Sequence, residues 1–313
     1  MRALQVADLI GPDGVGVADV PEPQAGDDQV LIDVRAGGVS FVDLLLSRGQ
    51  YQIRPDPPFT LGLQLAGTTP DGGRVAAVTF GAFAERVVVP AFAVLPLPDD
   101  ASFEAGAALV MNYQTAHFGL KRRGRLRAGE TALVHGAGGG AGSAAVQVAK
   151  ALVARVIAVG SDEPKREAAR QAGADAAIDA GEGWRDQVKA LTDGVGVDVV
   201  FDPVGGDRMT ESLRCLAPEG RLLVVGFAGG AIPEFAANRV LLRNVDIVGV
   251  NWGGLAMARP EIVAEAAEDL IRWHAEGYVA PVIGARYVPL EEGAEALWAI
   301  EARRAVGNLV LTL

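Results

Sequence analysis

The stretch TALVHGAGGGAGSAAVQVAK, residues 131–150, holds the residues whose types and spacing point most directly to chemistry. A short apolar run, Thr131–Val134, leads into Gly136-Ala137-Gly138-Gly139-Gly140-Ala141-Gly142 and then into an Ala-rich segment suited to a helix. A strand, a tight glycine turn and a helix together make a cradle for a pyrophosphate. Glycines let the backbone come close, and the helix N-terminus aims unpaired N–H groups at the anion. Gly136, Gly139 and Gly142 stand three apart, a variant of G-x-G-x-x-G; on glycines alone, an ordinary strand-to-helix turn is the alternative. The next apolar run ends in Val159-Gly160-Ser161, with no acid at the tip where NAD sites bind the ribose 2′-hydroxyl. Ser161 can hydrogen-bond a 2′-phosphate and Lys165 can pair with it, a charge-assisted contact worth about 1.5–3 kcal/mol. NADPH is therefore the expected cofactor. Asp162 and Glu163 oppose that expectation unless they face solvent.

The elements around these residues alternate regularly. Val156–Val159, Ala176–Ile178, Val197–Asp202, Arg221–Val225 and Val245–Val250 read as further strands. Pro164–Ala172, Trp184–Leu191 and a segment running from Pro203-Val204-Gly205-Gly206 to Leu216 read as helices. Near-continuous Val/Ile/Leu strands separated by helices indicate a parallel sheet buried on both faces. Six such strands match the doubly wound dinucleotide-binding (Rossmann) fold, order 3-2-1-4-5-6, so the class is α/β. His135 ends the first strand and reads as a satisfied core histidine; Cys215 reads as a buried helix residue.

Residues 1 to about 115 differ. Arg2–Val6, Val15–Val20, Val30–Ala36, Arg74–Val78 and Phe83–Pro90 are short strands separated by Pro- and Gly-rich turns, the pattern of a small β-barrel, with a helix-like interruption at Val39–Arg48. Val30–Val34 is apolar enough to be buried on both sides. After the sixth cofactor strand come an amphipathic helix (Glu261–Glu276), a strand (Arg286–Val288), a helix (Leu290–Arg303) and a terminal strand (Gly307–Leu313). This tail is too small to fold alone and is expected to complete the first domain. The expected division is 1–115 and 254–313 for the barrel domain and 116–253 for the cofactor domain.

Length and charge bound the rest. A chain of 313 residues exceeds what one hydrophobic core supports. A net charge of −11 argues against a nucleic-acid surface, and the basic cluster from Lys121 to Arg127 reads as a solvated turn. One cysteine excludes a disulfide framework and a cysteine-built zinc site. With no leader and no long uncharged apolar run, a cytoplasmic protein without membrane contact is expected.

Several motifs in order over the full length carry a family resemblance: GVSFVDLLLSRGQY at 38–51, NYQTAH at 112–117, HGAGGGAGSAAVQVAKAL at 135–152, GSDEPKREAARQAGAD at 160–175, FDPVGG at 201–206, VGVNWGG at 248–254 and EARRAVGNLVL at 301–311. The chain resembles the zinc-free quinone oxidoreductase (zeta-crystallin-like) branch of the medium-chain dehydrogenase/reductase superfamily. The resemblance implies a GroES-like β-barrel catalytic domain, a Rossmann cofactor domain and an active site in the cleft between them. Zinc dehydrogenases of that superfamily bind metal through a Cys-His-x-Asp stretch, a His-Glu pair and a later cysteine. The matching residues here are Ser40-Phe41-Val42-Asp43, Leu63-Gln64 and Met111. None of Ser40, Leu63, Gln64 and Met111 is a normal zinc ligand, so no catalytic zinc is expected. Without that Lewis acid, hydride transfer to an electron-poor quinone or enone is easier than alcohol oxidation.

The resemblance also implies site residues. Ser40, Phe41, Asp43, Tyr51 and Leu63 would face substrate. Tyr51 matches the proposed proton donor of the related enoyl-thioester reductases; a phenol is protonated at neutral pH, although a packed aromatic at a loop end is the simpler reading. Ser40 replaces a common Asn and Leu45 a common Tyr, which makes the pocket more apolar than the family type. Asn112, Thr115, Gly226, Phe227 and Asn251 match positions near the nicotinamide, with loop hydrogen bonds or core packing as alternatives. Arg303 and Asn308 match positions that reach toward the cofactor, and Arg303 equally suits a surface helix charge. Ala180 stands where the family often has a tyrosine beside the adenosine phosphate. Relatives pair the strand equivalent to Val245–Val250 across a two-fold axis, so a homodimer is expected. The functional expectation is NADPH-dependent, zinc-independent reduction of a quinone. An enoyl-thioester or activated-alkene reductase using Tyr51 is one alternative, and a non-enzymatic NADPH-binding protein is another.

Overall fold

The computed structural model describes residues 1–313, which form two compact units: 1–111 with 283–313, and 112–282. The first contains β1 (Arg2–Val6), β2 (Val15–Asp19), β3 (Gln29–Val39), β4 (Phe59–Thr60), β5 (Gln64–Thr68), β6 (Arg74–Val78), β7 (Arg86–Pro90) and β8 (Val94–Pro96). The second contains β9 (Thr131–His135), β10 (Arg155–Gly160), β11 (Ala176–Asp179), β12 (Val197–Asp202), β13 (Leu216–Val224) and β14 (Asp246–Gly249). The chain then returns to the first unit with β15 (Ile283–Tyr287) and β16 (Asn308–Thr312).

The 112–282 unit is a parallel sheet of order β11-β10-β9-β12-β13-β14, which is 3-2-1-4-5-6 in strands of this unit. The order reverses between β9 and β12, the switch point where ligands bind beyond the strand carboxyl ends. Leu133, Ile157, Val200 and Leu222 have no exposed surface, as strands covered on both faces require. One buried cation ties the opposite, amino-terminal side of the sheet. Arg221 on β13 donates to the carbonyls of Gly124 (2.8 Å) and Arg125 (3.0 Å) and grips the Glu130 carboxylate through two bonds of 3.1 and 2.8 Å. Its side chain is 10% exposed, so the planar fork satisfies groups that water barely reaches.

The other unit is mostly antiparallel. A small sheet runs β2-β1-β4, and a larger one runs β15-β16-β3-β5-β6-β8, with β7 pairing β3. Leu4, Ile32, Leu65, Val89, Leu297 and Leu311 belong to one apolar cluster, so both sheets and the helix Gly293–Glu301 share a core. The larger sheet, curled through β3, which pairs with β16, β5 and β7, is the antiparallel body of the expected barrel domain. β3 is longer than its apolar run implied, and Val30, Leu31 and Asp33 are only half-buried while Ile32 and Val34 are buried. The two-sided burial expected for Val30–Val34 is corrected to an alternating, one-sided pattern.

Other expectations change as well. The helix after Gly205 ends at Ser212, and Leu216 already begins β13. Cys215 is therefore a buried turn residue, its thiol pushed up to about 11 mainly by burial. The units divide at 111/112 and 282/283, so 254–282 falls with the cofactor unit and not with the barrel. The reason is packing: Asp269 of the helix Glu261–Ala275 meets His117 Nε2 at 2.8 Å and Lys121 Nζ at 2.5 Å, and Trp252 lies against Phe118 at 5.5 Å. Lys121, Arg122, Arg123 and Arg125 are thus tied to Asp269, Glu265, the Gly249 carbonyl and Asp246, more than a solvated turn. The helices Phe103–His117, Ala237–Arg243 and Trp252–Ala258 carry no matching sequence expectation. No helix is long and apolar enough to cross a membrane.

Replacing Arg221 by Met strips the Glu130 carboxylate and two carbonyls of their partner. Urea denaturation should show a loss of about 3 kcal/mol, the usual cost of breaking a mostly buried ion pair. Arg221→Lys should recover less than half of it, because a point charge cannot span the same acceptors. A loss below about 1 kcal/mol, the range of exposed pairs, would contradict this account.

Candidate cofactor and substrate sites

β9 ends at His135, and the chain reverses through Gly136, whose φ of +59° favours glycine. Gly139 N donates to Gly136 O at 3.0 Å and closes the turn. The helix Gly140–Ala151 then begins behind the N-cap Gly139, which offers no side-chain cap. The first-turn amides of Gly140, Ala141 and Gly142 are left for an external acceptor, with no acidic residue in that turn to repel it. Gly142 packs so closely that a Cβ there would overlap the Gly136 carbonyl oxygen. At Gly139 a Cβ would meet only that oxygen, at 3.5 Å. The structure thus redistributes the roles: Gly136 and Gly142 make the turn, and Gly139 keeps its mouth open.

The loops beyond the neighbouring strands meet the same carboxyl edge. Asp202 ends β12, is fully buried, and accepts from Val204 N (2.7 Å) and Gly205 N (3.0 Å) through one oxygen. Burial pushes its carboxyl up to about 6, although the two amides pull the other way. This loop supports the next one, since Ala228 N and Gly229 N donate to Pro203 O and Val204 O. Gly226 and half-buried Phe227 follow β13 here, and Asn251, beyond β14, caps the helix Trp252–Ala258 by accepting from Gly254 N at 3.2 Å. Asp202 escaped the sequence reading as a site-supporting residue. Its signal was Asp before Pro-x-Gly-Gly, the composition of a side-chain-closed turn.

His135 departs from its expectation in one respect. Ser212 Oγ donates to Arg208 O at 2.9 Å, so it accepts from His135 Nε2 at 2.8 Å, and Nδ1 is buried without a partner. Burial holds the ring neutral, its value lowered to about 3, and Trp184 packs edge-on at 5.1 Å. Asn112 and Thr115 are half-buried on the helix Phe103–His117.

Beyond β10, Ser161 and Lys165 come together: Lys165 Nζ donates to Ser161 Oγ at 3.1 Å. Asp162 does not turn away, as easy accommodation of a 2′-phosphate requires, but meets Lys165 Nζ at 3.0 Å. Glu163 does turn away, to Arg166 and Arg170.

On the barrel unit, Ser40 caps the helix Phe41–Ser47, and its amide and hydroxyl both donate to Asp43 Oδ2, at 2.8 and 2.6 Å. Asp43 is fully buried, its other oxygen has no side-chain or backbone donor in bonding geometry, and burial pushes the carboxyl up to about 6. The pair is thus occupied locally. Leu63 belongs to the apolar cluster against which Phe41, Tyr51 and Met111 pack. Gln64 is buried and accepts from Met111 N at 3.3 Å. Half-buried Tyr51 has its Oη beside Gln52 Nε2 at 3.3 Å. Arg303, exposed with φ +56°, and buried Asn308 also lie on this unit. Arg303 sits just after the helix Gly293–Glu301, not within it.

Gly142→Ala forces the turn open, so calorimetric titration should show dinucleotide affinity reduced at least about tenfold, as loss of roughly one charge-assisted hydrogen bond would do; unchanged affinity would contradict the cradle. For Asp202 the carboxyl value is higher in the folded chain than unfolded, so the native state binds more protons between about 4 and 6. Its contribution is complete below the ordinary carboxylate range and is lost as pH rises through about 6. Asp202→Asn keeps the acceptor oxygen, and its stability relative to wild type should rise by about 2–3 kcal/mol between pH 4 and 7. A difference that is flat across that range would contradict the assignment.

Comparison with known proteins agrees with this architecture. Residues 140–271 match the zinc-binding dehydrogenase family. The chain is 34% identical over 310 residues to quinone oxidoreductase-like protein 2 of Mus musculus, covering 95% of this chain and 88% of that one. It is 32% identical to the quinone oxidoreductase of Rattus norvegicus, covering 100% and 98%. The quinone oxidoreductase of Thermus thermophilus, solved also as its complex with NADPH, superposes with a TM-score of 0.90 at 36% identity over 100% of both chains. A doubly wound parallel sheet at 112–282, an antiparallel-sheet unit built from both ends of the chain, and full-length similarity to these enzymes lead to one conclusion: the chain is an oxidoreductase of the quinone oxidoreductase branch of the medium-chain dehydrogenase/reductase superfamily.

Proposed function

We propose that the protein is an NADPH-dependent, zinc-independent reductase of quinone-like acceptors. The observation that carries the proposal is the pairing of an open glycine turn with the Ser161–Lys165 contact beyond the adjacent strand. The turn suits a pyrophosphate, because the helix starts with no side-chain cap and no acid in its first turn, and the mouth at Gly139 is open. Ser161 and Lys165 fit a 2′-phosphate, an interaction that favours NADPH over NADH by roughly ten- to hundredfold before opposing charges are counted. Bound NADPH supplies the hydride. The residues proposed to hold it are Gly136, Gly139, Gly140, Ala141, Gly142, Ser161 and Lys165, with Asn112, Thr115, Gly226, Phe227 and Asn251 toward the nicotinamide, and Arg303 and Asn308 as further cofactor-binding residues.

Zinc does not fit. The side chains at the metal-ligand positions are a hydroxyl, an isobutyl, an amide and a thioether, at Ser40, Leu63, Gln64 and Met111. Gln64 and Ser40 are also engaged by Met111 N and Asp43. The zinc-binding dehydrogenase match covers 140–271 and so includes none of these four positions. The candidate acceptor residues of the barrel unit, Phe41 and Leu63, are apolar and pack in one cluster, a composition suited to a water-excluding site for a flat substrate.

Tyr51 supports a second reading, the reduction of activated alkenes. Its Oη lies beside an amide donor, which leaves the phenolic proton available for a substrate carbon. Tyr51→Phe should lower enone turnover about a hundredfold, the usual worth of a general acid, and leave quinone turnover within about threefold. Enone turnover unaffected by the change would remove Tyr51 from the chemistry. Equal affinity for NADH and NADPH would remove the cofactor preference.

The homodimer is proposed on the same footing. β14 closes one side of the parallel sheet with β13 as its sole strand partner, and Leu241 and Leu242 on the preceding helix are 73% and 79% exposed. Apolar edges of that kind are usually covered. Light scattering at micromolar concentration should give a mass of twice 32.4 kDa; a monomer would contradict it.

A further inference from the structure

Three polar groups beyond β10 form a closed triangle. Lys165 Nζ lies 3.1 Å from Ser161 Oγ and 3.0 Å from Asp162 Oδ2, and Ser161 Oγ donates to the same Asp162 oxygen at 3.0 Å. The other Asp162 oxygen accepts from Lys165 N at 3.0 Å and caps the helix Glu163–Gln171. The stem of Lys165 is held in place. Gly138 of the phosphate turn packs onto Lys165 so tightly that a Cβ at 138 would overlap the Lys165 backbone and Cβ, and the Lys165 side chain is 16% exposed. The nearby cations are paired elsewhere, Arg166 with Glu163 and Asp179, and Arg170 with Glu163 and Glu167.

We infer that Asp162 is a specificity-determining residue that competes with the nucleotide 2′-phosphate for Ser161 and Lys165, and so holds the preference for NADPH below what those two residues alone would give. The inference rests on the cofactor reading above. A dianionic phosphate that reaches Ser161 and Lys165 must displace the carboxylate or remain beside it, and either route costs binding energy. A ribose 2′-hydroxyl meets no such conflict, because it can donate to Asp162. Burial disfavours the Asp162 charge, but the bonds from Lys165 and Ser161 outweigh it and hold the group below the usual carboxylate range, so the competitor is ionised at neutral pH. Glu163, one residue on, carries the same charge but directs it to two arginines.

Calorimetric titration of NADPH and NADH into wild type, Asp162→Asn, Asp162→Ser and Glu163→Gln tests the inference, with thermal melts to confirm that each variant is folded. Asn and Ser both retain a cap. Each Asp162 variant should raise the NADPH-to-NADH affinity ratio about tenfold, from one released ion pair and one removed like-charge contact. Glu163→Gln should leave the ratio within about twofold, since it removes an equal charge that does not touch Lys165. A wild-type preference for NADPH that neither Asp162 variant raises overturns the inference alone, as does a Glu163→Gln effect of equal size. Equal affinities in wild type that stay equal in the Asp162 variants overturn both the inference and the cofactor reading. Equal affinities that become biased toward NADPH in those variants overturn the wild-type preference and support the inference.

Discussion

The contact between Gly142 and the carbonyl of Gly136 sets what the rest of the cofactor unit can do. It folds the end of β9 back under the start of a helix closely enough that no side chain fits between them. The helix therefore begins with bare amides at the carboxyl edge of a parallel sheet, at the point where strand order reverses. Helix dipole, unpaired donors and the absence of acidic side chains in the first turn then act in one direction. A single methyl group at this position would cost the geometry, which is why the site depends on backbone approach more than on any functional group.

The surrounding polar residues make sense as supports for that edge. Asp202 holds the loop after β12 by its own turn, and that loop holds the one after β13. His135 ends β9 just before the turn, held neutral by burial and packed on Trp184. At the other end of the sheet, Arg221 gathers a carboxylate and two carbonyls. In this sheet Asp202 and His135 thus sit at strand ends, and Arg221 is the buried charge carried within a strand, β13.

Much of this was readable in the sequence. Strands β9, β10, β12 and β13 appear as Val/Ile/Leu-rich runs because both faces are covered, and the glycine turn is visible because only glycine tolerates its contacts. Other features were not readable. Leu216 reads as helix from its neighbours, but β13 claims it through pairing with Val197, a contact local propensity cannot report. The helix Glu261–Ala275 looks like part of the tail because it follows the last strand of the sheet, yet Asp269 ties it to residues 117 and 121. For the site, residue types gave Ser161 and Lys165 as partners, but only the structure shows that Asp162 completes the triangle.

The most direct measurement is a crystal structure of the protein with NADPH bound. The account predicts the pyrophosphate against the amides of Gly140, Ala141 and Gly142, with the 2′-phosphate at Ser161 and Lys165 and no metal ion among Ser40, Leu63, Gln64 and Met111. A dinucleotide seated anywhere else, or a coordinated transition ion at those four residues, would contradict it.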